Sequence, residues 1–472
     1  MKFAAKVLAL VLARAFWGEM WAFATLPKSV GPMQWADSMA YVGTIDGRTV
    51  LAVGGHHDSS KSHLLFLNPD GTEETALRQE LPTGGGFLGS SIAAGDVTGS
   101  GQMYVILGAY GVHDGPCRRD CTTCKCNTGA IQFYSIDLSG GELPTASTII
   151  LGKDYGAINV ASWSYDLTVF DVDEDGVDDV LVTAQGQCEG NAGWPCFDQP
   201  NEGYITILFM TKTSDDPAVH DSMKITCGQV PSCVDENDQF GTSIAPLGDL
   251  DEDGVIEYAV GGKNKVWILS IDSSGAFYGS ENLISQSDVG LGTVTTYFGV
   301  DVAAAGDVDG DSVPDLLVGA SGYSGNTGMG MLLLLNADKS IKDTYPIYVD
   351  PNWGAAIRCG SSILALGDMD GNFFPEVALG CSSGWGPSHV VILNDVYIFG
   401  DTDGDGFSDF VENLSCSDPT NFDSIPLHGP GICSQPTSSS GTSRSRSSGS
   451  SSLSDKDDRR RALRAKEGKS EE

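Results

Sequence analysis

The chain has 472 residues, with 27 Lys and Arg against 63 Asp and Glu, and a formal net charge of -36. So acidic a surface repels the phosphates of nucleic acids and of anionic membranes, and neither is expected as a partner. At 41% hydrophobic the chain can bury a core, and its 60 glycines favour short strands joined by tight turns.

Residues 1–24 read as a secretory signal. Lys2 and Lys6 give a positive start, residues 7–13 an apolar run, and Ala22-Phe23-Ala24 a small-x-small cleavage site. The alternative is an amphipathic N-terminal helix, because Arg14 and Glu19 interrupt the apolar stretch. No later segment is apolar over the roughly 18 residues that a membrane helix needs, so no span is expected.

From residue 35 to residue 400 one pattern recurs: small and apolar residues, Gly-Asp, an acidic loop, then an acidic residue and an apolar run ending in glycine. The copy around Asp46 has lost the loop. His56 and His57, beside Asp58, follow it and read as a solvated loop rather than a metal or catalytic site. The copy around Asp96 offers Asp96, Thr98, Ser100 and Tyr104, too few carboxylates to hold a divalent ion. No calcium is expected at either copy. Next, CRRDCTTCKC gathers Cys117, Cys121, Cys124 and Cys126, which read as disulfides in an oxidising compartment, with a zinc knot as the rival.

Four stronger copies follow. DVDEDGVDD places Asp171, Asp173, Asp175 and Asp179 at positions 1, 3, 5 and 9, with Gly176 at 6. Alternate residues of a tight loop turn oxygens inward, the glycine permits the bend, and position 7 offers a carbonyl: a cage of hard oxygen donors suited to Ca²⁺. The same positions give Asp249, Asp251, Asp253 and Glu257; then Asp307, Asp309, Asp311 and Asp315; then Asp368, Asp370, Asn372 and Glu376. Carboxylates this close repel one another unless a cation compensates, so the ions are expected to be structural. Between and beyond these loops the cysteines fall as neighbours, Cys188 with Cys196, Cys227 with Cys233, Cys359 with Cys381 and Cys416 with Cys433, and read as disulfides.

Each copy divides into four strands. Around Asp307 they are VDVAAAGD, PDLLVGA, GMLLLLN and IKDTYPIY, where GMLLLLN suits a strand buried on both faces and NADKS a hairpin turn. The fold class is therefore all-β, a β-propeller with one four-stranded blade per copy, six in number. A parallel solenoid would need a shorter, more uniform period.

After the last copy, DTDGDGFSDFVE sets Asp401, Asp403, Asp405, Asp409 and Glu412 at positions 1, 3, 5, 9 and 12. The glutamate at 12 is the EF-hand spacing, and residues 401–433 read as a small calcium module tied off by Cys416 and Cys433. Asn413-Leu414-Ser415 is a glycosylation sequon. Residues 434–472, rich in Ser and Arg, read as a disordered, solvated tail.

The copies resemble the FG-GAP repeats of integrin α-chain propellers. The resemblance rests on Phe240-Gly241, Phe298-Gly299, the DxDxDGxxD loops, and the endings VGG at 260–262 and VGAS at 318–321. It implies a propeller with structural Ca²⁺ between the first two strands of a blade, at four sites here, and adhesion or ligand binding at the cell surface. Integrin α-chains have seven repeats against the six counted here, so the blade number stands open between the two. Residues 401–433 look like one thrombospondin type 3 unit, a further calcium site.

In an up-and-down blade, the connections between strands one and two and between three and four share one face. The acidic loops fall there. The long segments 111–128, 187–203, 227–239, 349–359 and 381–388 fall on the other face, with most of the disulfide cysteines and with Trp194, Trp353 and Trp385. Long, cross-linked, aromatic loops on one face read as a binding surface. The expected function is a secreted or cell-surface, calcium-binding propeller that takes an extracellular protein or glycan. The alternative is an extracellular polysaccharide-active enzyme with its chemistry in the central funnel. The chain has no HExxH or phosphate-binding glycine loop, and no enzyme is expected.

Overall fold

The computed structural model describes residues 28–393 apart from 34–35, 56–61, 82–86, 113–127, 137–144, 156–161, 186–202, 215, 234–237, 293–294, 349–357, 370–375 and 383–387. Several expectations lie outside these residues: the signal, the 401–433 module with Asp401, Asp403, Asp405, Asp409, Glu412 and Asn413, and the tail. So do Asp370, Asn372, Cys117, Cys121, Cys124, Cys126, Cys188, Cys196, Cys416, Cys433, Trp194, Trp353 and Trp385.

The described chain is nearly all strand. β1 (Lys28–Met33) is followed by blade 1: β2 (Ser38–Ile45), β3 (Arg48–Gly54), β4 (His63–Leu67) and β5 (Gln79–Glu80). Blade 2 is β6 (Ile92–Gly95), β7 (Tyr104–Ala109), β8 (Ala130–Ser135) and β9 (Thr145–Leu151). Blade 3 is β10 (Trp163–Phe170), β11 (Asp179–Ala184), β12 (Tyr204–Met210) and β13 (Val219–Thr226). Blade 4 is β14 (Ser243–Gly248), β15 (Ile256–Gly262), β16 (Lys265–Ile271) and β17 (Phe277–Ser285). Blade 5 is β18 (Phe298–Gly306), β19 (Asp315–Ala320), β20 (Gly330–Leu335) and β21 (Ile341–Ile347). Blade 6 is β22 (Cys359–Ala365), β23 (Val377–Cys381) and β24 (Ser388–Leu393), and takes β1 as its outer strand.

Every sheet is antiparallel, and six blades close the ring. The blade number is thereby settled at six rather than seven. β1 pairs with β24 from Lys28 opposite Ile392 to Met33 opposite Ser388. The sixth blade thus borrows its last strand from ahead of the 35–400 span, and this strand joins the two ends of the propeller.

Burial explains the strand composition. β11, β12, β19 and β20 are buried at every position, as their largely apolar sequences require. The outer strand β13 (VHDSMKIT) is largely exposed and correspondingly polar. Six hydrophobic clusters among the described residues sit one at each junction between neighbouring blades. The cores therefore lie between sheets, and each blade depends on the next for its burial.

The FG pair works at these junctions. Phe240 and Phe298 are fully buried, Phe240 edge-on to Trp267 at 5.4 Å. Gly241 and Gly299 have φ of 81° and 85°, and a Cβ on Gly299 would strike the Lys265 carbonyl.

A ring of side-chain bonds then stitches each inner strand to the next blade. Ser38 donates to the Gly89 carbonyl at 3.1 Å, Ser91 to Ser164 at 2.8 Å, Ser243 to Gly299 at 3.2 Å and Ser362 to Ala36 at 3.4 Å. At the other two junctions Asp166 accepts the Ile244 amide at 2.9 Å and Asp301 the Ile363 amide at 2.6 Å. Among the described residues two disulfides reinforce the scaffold: Cys227–Cys233 pins the connection from blade 3 to blade 4, and Cys359–Cys381 joins β22 to β23. Among the described residues no helix is long and apolar enough to cross a membrane.

Candidate functional site

Each acidic loop joins the inner strand of a blade to its second strand. In blade 3, Asp171 draws the loop around itself: Oδ1 accepts the Asp175 amide at 3.0 Å and Oδ2 the Gly176 amide at 2.9 Å. The bend needs left-handed backbone at positions 4 and 6, met by Glu174 (φ 61°) and Gly176 (φ 84°). The Asp249 loop repeats this with Glu252 (58°) and Gly254 (86°), whereas the Asp307 loop places its glycine at position 4 (Gly310, 77°) and Ser312 (72°) at position 6.

Position 9 has a second task. Asp179 is fully buried and accepts the Val172 amide at 3.0 Å and the Met210 amide at 2.8 Å. Asp315 accepts the amides of Val308 at 2.8 Å and Leu335 at 3.0 Å. Glu257 accepts from the Leu250 amide and the Ser270 hydroxyl, each at 2.8 Å. Glu376 accepts the Met369 amide at 2.5 Å. These carboxylates clamp the loop to the second and third strands. Burial pushes Asp179 and Asp315 up to about 7, partly offset by the amide bonds.

Three loops converge their oxygens. Asp171, Asp173 and Asp179, then Asp249, Asp251 and Glu257, then Asp307, Asp309 and Asp311 each bring carboxylate oxygens within 4.8 Å of one another. Asp175, Asp253 and Asp315, expected as ligands by spacing, are not in these groups. The Val177 and Val255 amides occupy one oxygen of Asp175 and of Asp253, at 2.9 and 2.8 Å. In Asp315 both oxygens hold backbone amides, as they also do in Asp179, which nevertheless lies within its group. Of the four ligands expected in the fourth loop only Asp368 and Glu376 are described.

The donor set fits a hard divalent cation: oxygens only, three carboxylates at close range, on a preformed loop. Tyr258, from blade 4, adds a second indication beside the Asp171 group. It is fully buried, and its hydroxyl has no hydrogen-bond partner among the described residues. Burial, then the charges of Asp179 and Asp171, raise its pKa.

The Asp307 group has a counter-charge of its own. Lys342 Nζ lies 2.5 Å from Asp309 Oδ2 and 2.6 Å from Asp311 Oδ2. Against the upward push of burial, this ammonium holds the Asp311 carboxyl below its ordinary value. The weak copies use other devices. Asp46 and Gly47, φ 48° and 72°, make a two-residue hairpin turn. Asp96 spends its carboxylate on the amides of Thr98, Ser100 and Gly101.

The inner strands enclose an axial cavity of about 520 Å³, lined among others by Asp37, Tyr110, Tyr165, Asp166, Asp301 and Arg358. At its mouth, on the face away from the acidic loops, Phe87 stacks on Tyr110 at 5.2 Å and Tyr110 meets Tyr165 at 6.1 Å. Tyr323 and Tyr348, 6.0 Å apart, and the exposed Tyr297 stand on connections of that same face. Sequence reasoning chose tryptophans there and passed over these aromatics. The strand parity that located the face could have found them, since each flanks a connection between strands two and three or between blades. Within the cavity, burial pushes Asp166 up to about 7, and burial with the Asp166 charge raises Asp301.

These features define a six-bladed β-propeller with an acidic loop in the first turn of its stronger blades. The family model of the FG-GAP repeat matches residues 298–332, the inner part of blade 5. The chain is similar to integrin alpha-8 of Mus musculus, 28% identical over 50% of this chain and 20% of that protein. Integrin alpha-5 of Xenopus laevis is 28% identical over 37% of this chain and 17% of its own length. Integrin alpha-7 of Rattus norvegicus is 30% identical over 59% and 22%. The chain thus spans about a fifth of the length of the curated relatives it matches. Among solved structures, the crystal structure of AofleA from Arthrobotrys oligospora aligns with a TM-score of 0.42 at 9% identity, over 79% of this chain and 87% of that one. The chain folds as a six-bladed β-propeller, matches the FG-GAP repeat at residues 298–332, and is similar over part of its length to integrin α-chains.

Proposed function

We propose that the propeller is an extracellular adhesion or ligand-binding module, stabilised by Ca²⁺ in the Asp171, Asp249, Asp307 and Asp368 loops, that takes a protein or glycan on the opposite face. The observation that carries this reading is the division between faces: clustered carboxylates on one, clustered and partly exposed aromatics around the cavity mouth on the other. Aromatic anchors around a concave centre suit a ligand that brings apolar or sugar-ring surface. The integrin relatives favour the same use, and disulfides favour an oxidising, extracellular setting. The Asp401–Glu412 loop belongs to this reading as a fifth calcium site.

An enzyme with its chemistry in the cavity would draw on Asp166 and Asp301. Each of these already holds the next blade's amide, at the junction position that other blades fill with serine. We read the pair as structural.

The test is a glycan and protein array probed in millimolar Ca²⁺, beside a hydrolase panel. A ligand whose signal falls about tenfold in Tyr110→Ala or Tyr165→Ala, with the melting midpoint unchanged, is the expected outcome. Turnover of a polysaccharide, lost on Asp166→Asn, would overturn it.

A further inference from the structure

Lys339 lies in the hairpin between the third and fourth strands of blade 5, yet its side chain ends in blade 4. Its Nζ is 3.1 Å from Glu257 Oε1, 3.9 Å from Asp251 Oδ2 and 2.5 Å from Ser270 Oγ. Two of these partners are carboxylates of the Asp249 group. The residue is only 7% exposed, and a lysine so buried must be paired. Its backbone is docked as well: φ is 69°, and its carbonyl accepts from Asn282 Nδ2 of blade 4 at 2.5 Å.

The three oxygen groups thus differ in the positive charge the chain itself supplies. The Asp171 group has no ion pair among the described residues. The Asp307 group has Lys342, from its own blade and 38% exposed at the side chain. The Asp249 group has a buried ammonium from its neighbour.

We propose that Lys339 is the tethered resident cation of the Asp249 loop, so that a divalent ion enters this loop only by expelling it. This rests on the reading of the loops as calcium sites. The ammonium and the ion compete for the Glu257 and Asp251 oxygens and cannot both be satisfied there. The loop is accordingly ordered without calcium and is the weakest divalent site of the three. Entry of calcium breaks the side-chain contacts of Lys339 with blade 4 and leaves the hairpin held there through its backbone. Occupancy of this site thereby reports on, and alters, the contact between two blades, whereas the Asp171 loop fills without such a cost.

The test compares wild type, Lys339→Asn and Lys339→Arg by calorimetric titration with CaCl₂ and by melting in chelator and in calcium. Asparagine tolerates the left-handed backbone, so the first variant removes charge with little strain. The expected result is a site strengthened about tenfold in Lys339→Asn and absent from Lys339→Asn/Asp249→Asn. Lys339→Asn should also melt lower in chelator, and calcium should restore most of the loss. Lys339→Arg should behave as wild type.

Wild type that binds calcium while Lys339→Asn leaves the isotherm unchanged, or loses the same stability in chelator and in calcium, would overturn the proposal and leave the calcium reading intact. Silence toward calcium in wild type and variants alike would overturn both.

Discussion

A carboxylate at position 1 of an acidic loop and one at position 9 look equivalent in the sequence, but their surroundings separate them. Asp171 lies in the loop and orders loop amides; Asp315 is fully buried and satisfies two backbone amides that water cannot reach. Asp171→Asn keeps one of the two oxygens that accept the Asp175 and Gly176 amides, so it should cost at most about 1 kcal/mol in chelator, partly offset by lost repulsion, while cutting the gain from calcium. Asp315→Ala should cost about 2–4 kcal/mol in both conditions, because the Val308 and Leu335 amides lose their acceptor. Urea midpoints with calcium and with chelator check both outcomes. The ligand spacing was legible because it is local, a matter of alternate residues in a tight turn. The clamp was not, because it depends on partners such as Met210, 31 residues from Asp179. For the same reason nothing in NADKS revealed that Lys339 serves another blade.

At the scale of the blade, the stitches at the inner strands tie stability to pH. Asp166 and Asp301 ionise in the folded chain above their ordinary range, Asp166 at about 7, through burial and, for Asp301, the charge of Asp166. A folded carboxyl that keeps its proton while the unfolded one releases it makes stability fall as pH rises from about 4 to about 7, and level off above. Asp166→Asn keeps an oxygen for the Ile244 amide and removes the titration. Relative to wild type it should gain stability across that window, by at most about 1.4 kcal/mol per pH unit. Chemical denaturation at saturating calcium between pH 4.5 and 8 measures the difference; a constant offset would contradict the assignment. The strands themselves were readable: in blade 5 all four match the segments the apolar pattern picks out. β1 was not, since KSVGPM is short, has no copy of the repeat beside it and pairs with a strand over 350 residues later.

At the scale of the molecule, six sheets bury their cores only against one another, so the ring stands or falls on its junctions. Three described groups of close carboxylates, placed where each inner strand turns into the next, charge that ring unless cations neutralise them. The repeat made the propeller legible, and its acidic spacing the loops. The aromatic face emerged only once strand parity and contacts were combined. The most direct measurement is the melting curve of the full chain in chelator and in millimolar Ca²⁺. At tenfold above Kd each site contributes about 1.4 kcal/mol, so the four proposed propeller sites should raise the midpoint by about 7 °C. Superimposable curves would contradict the account.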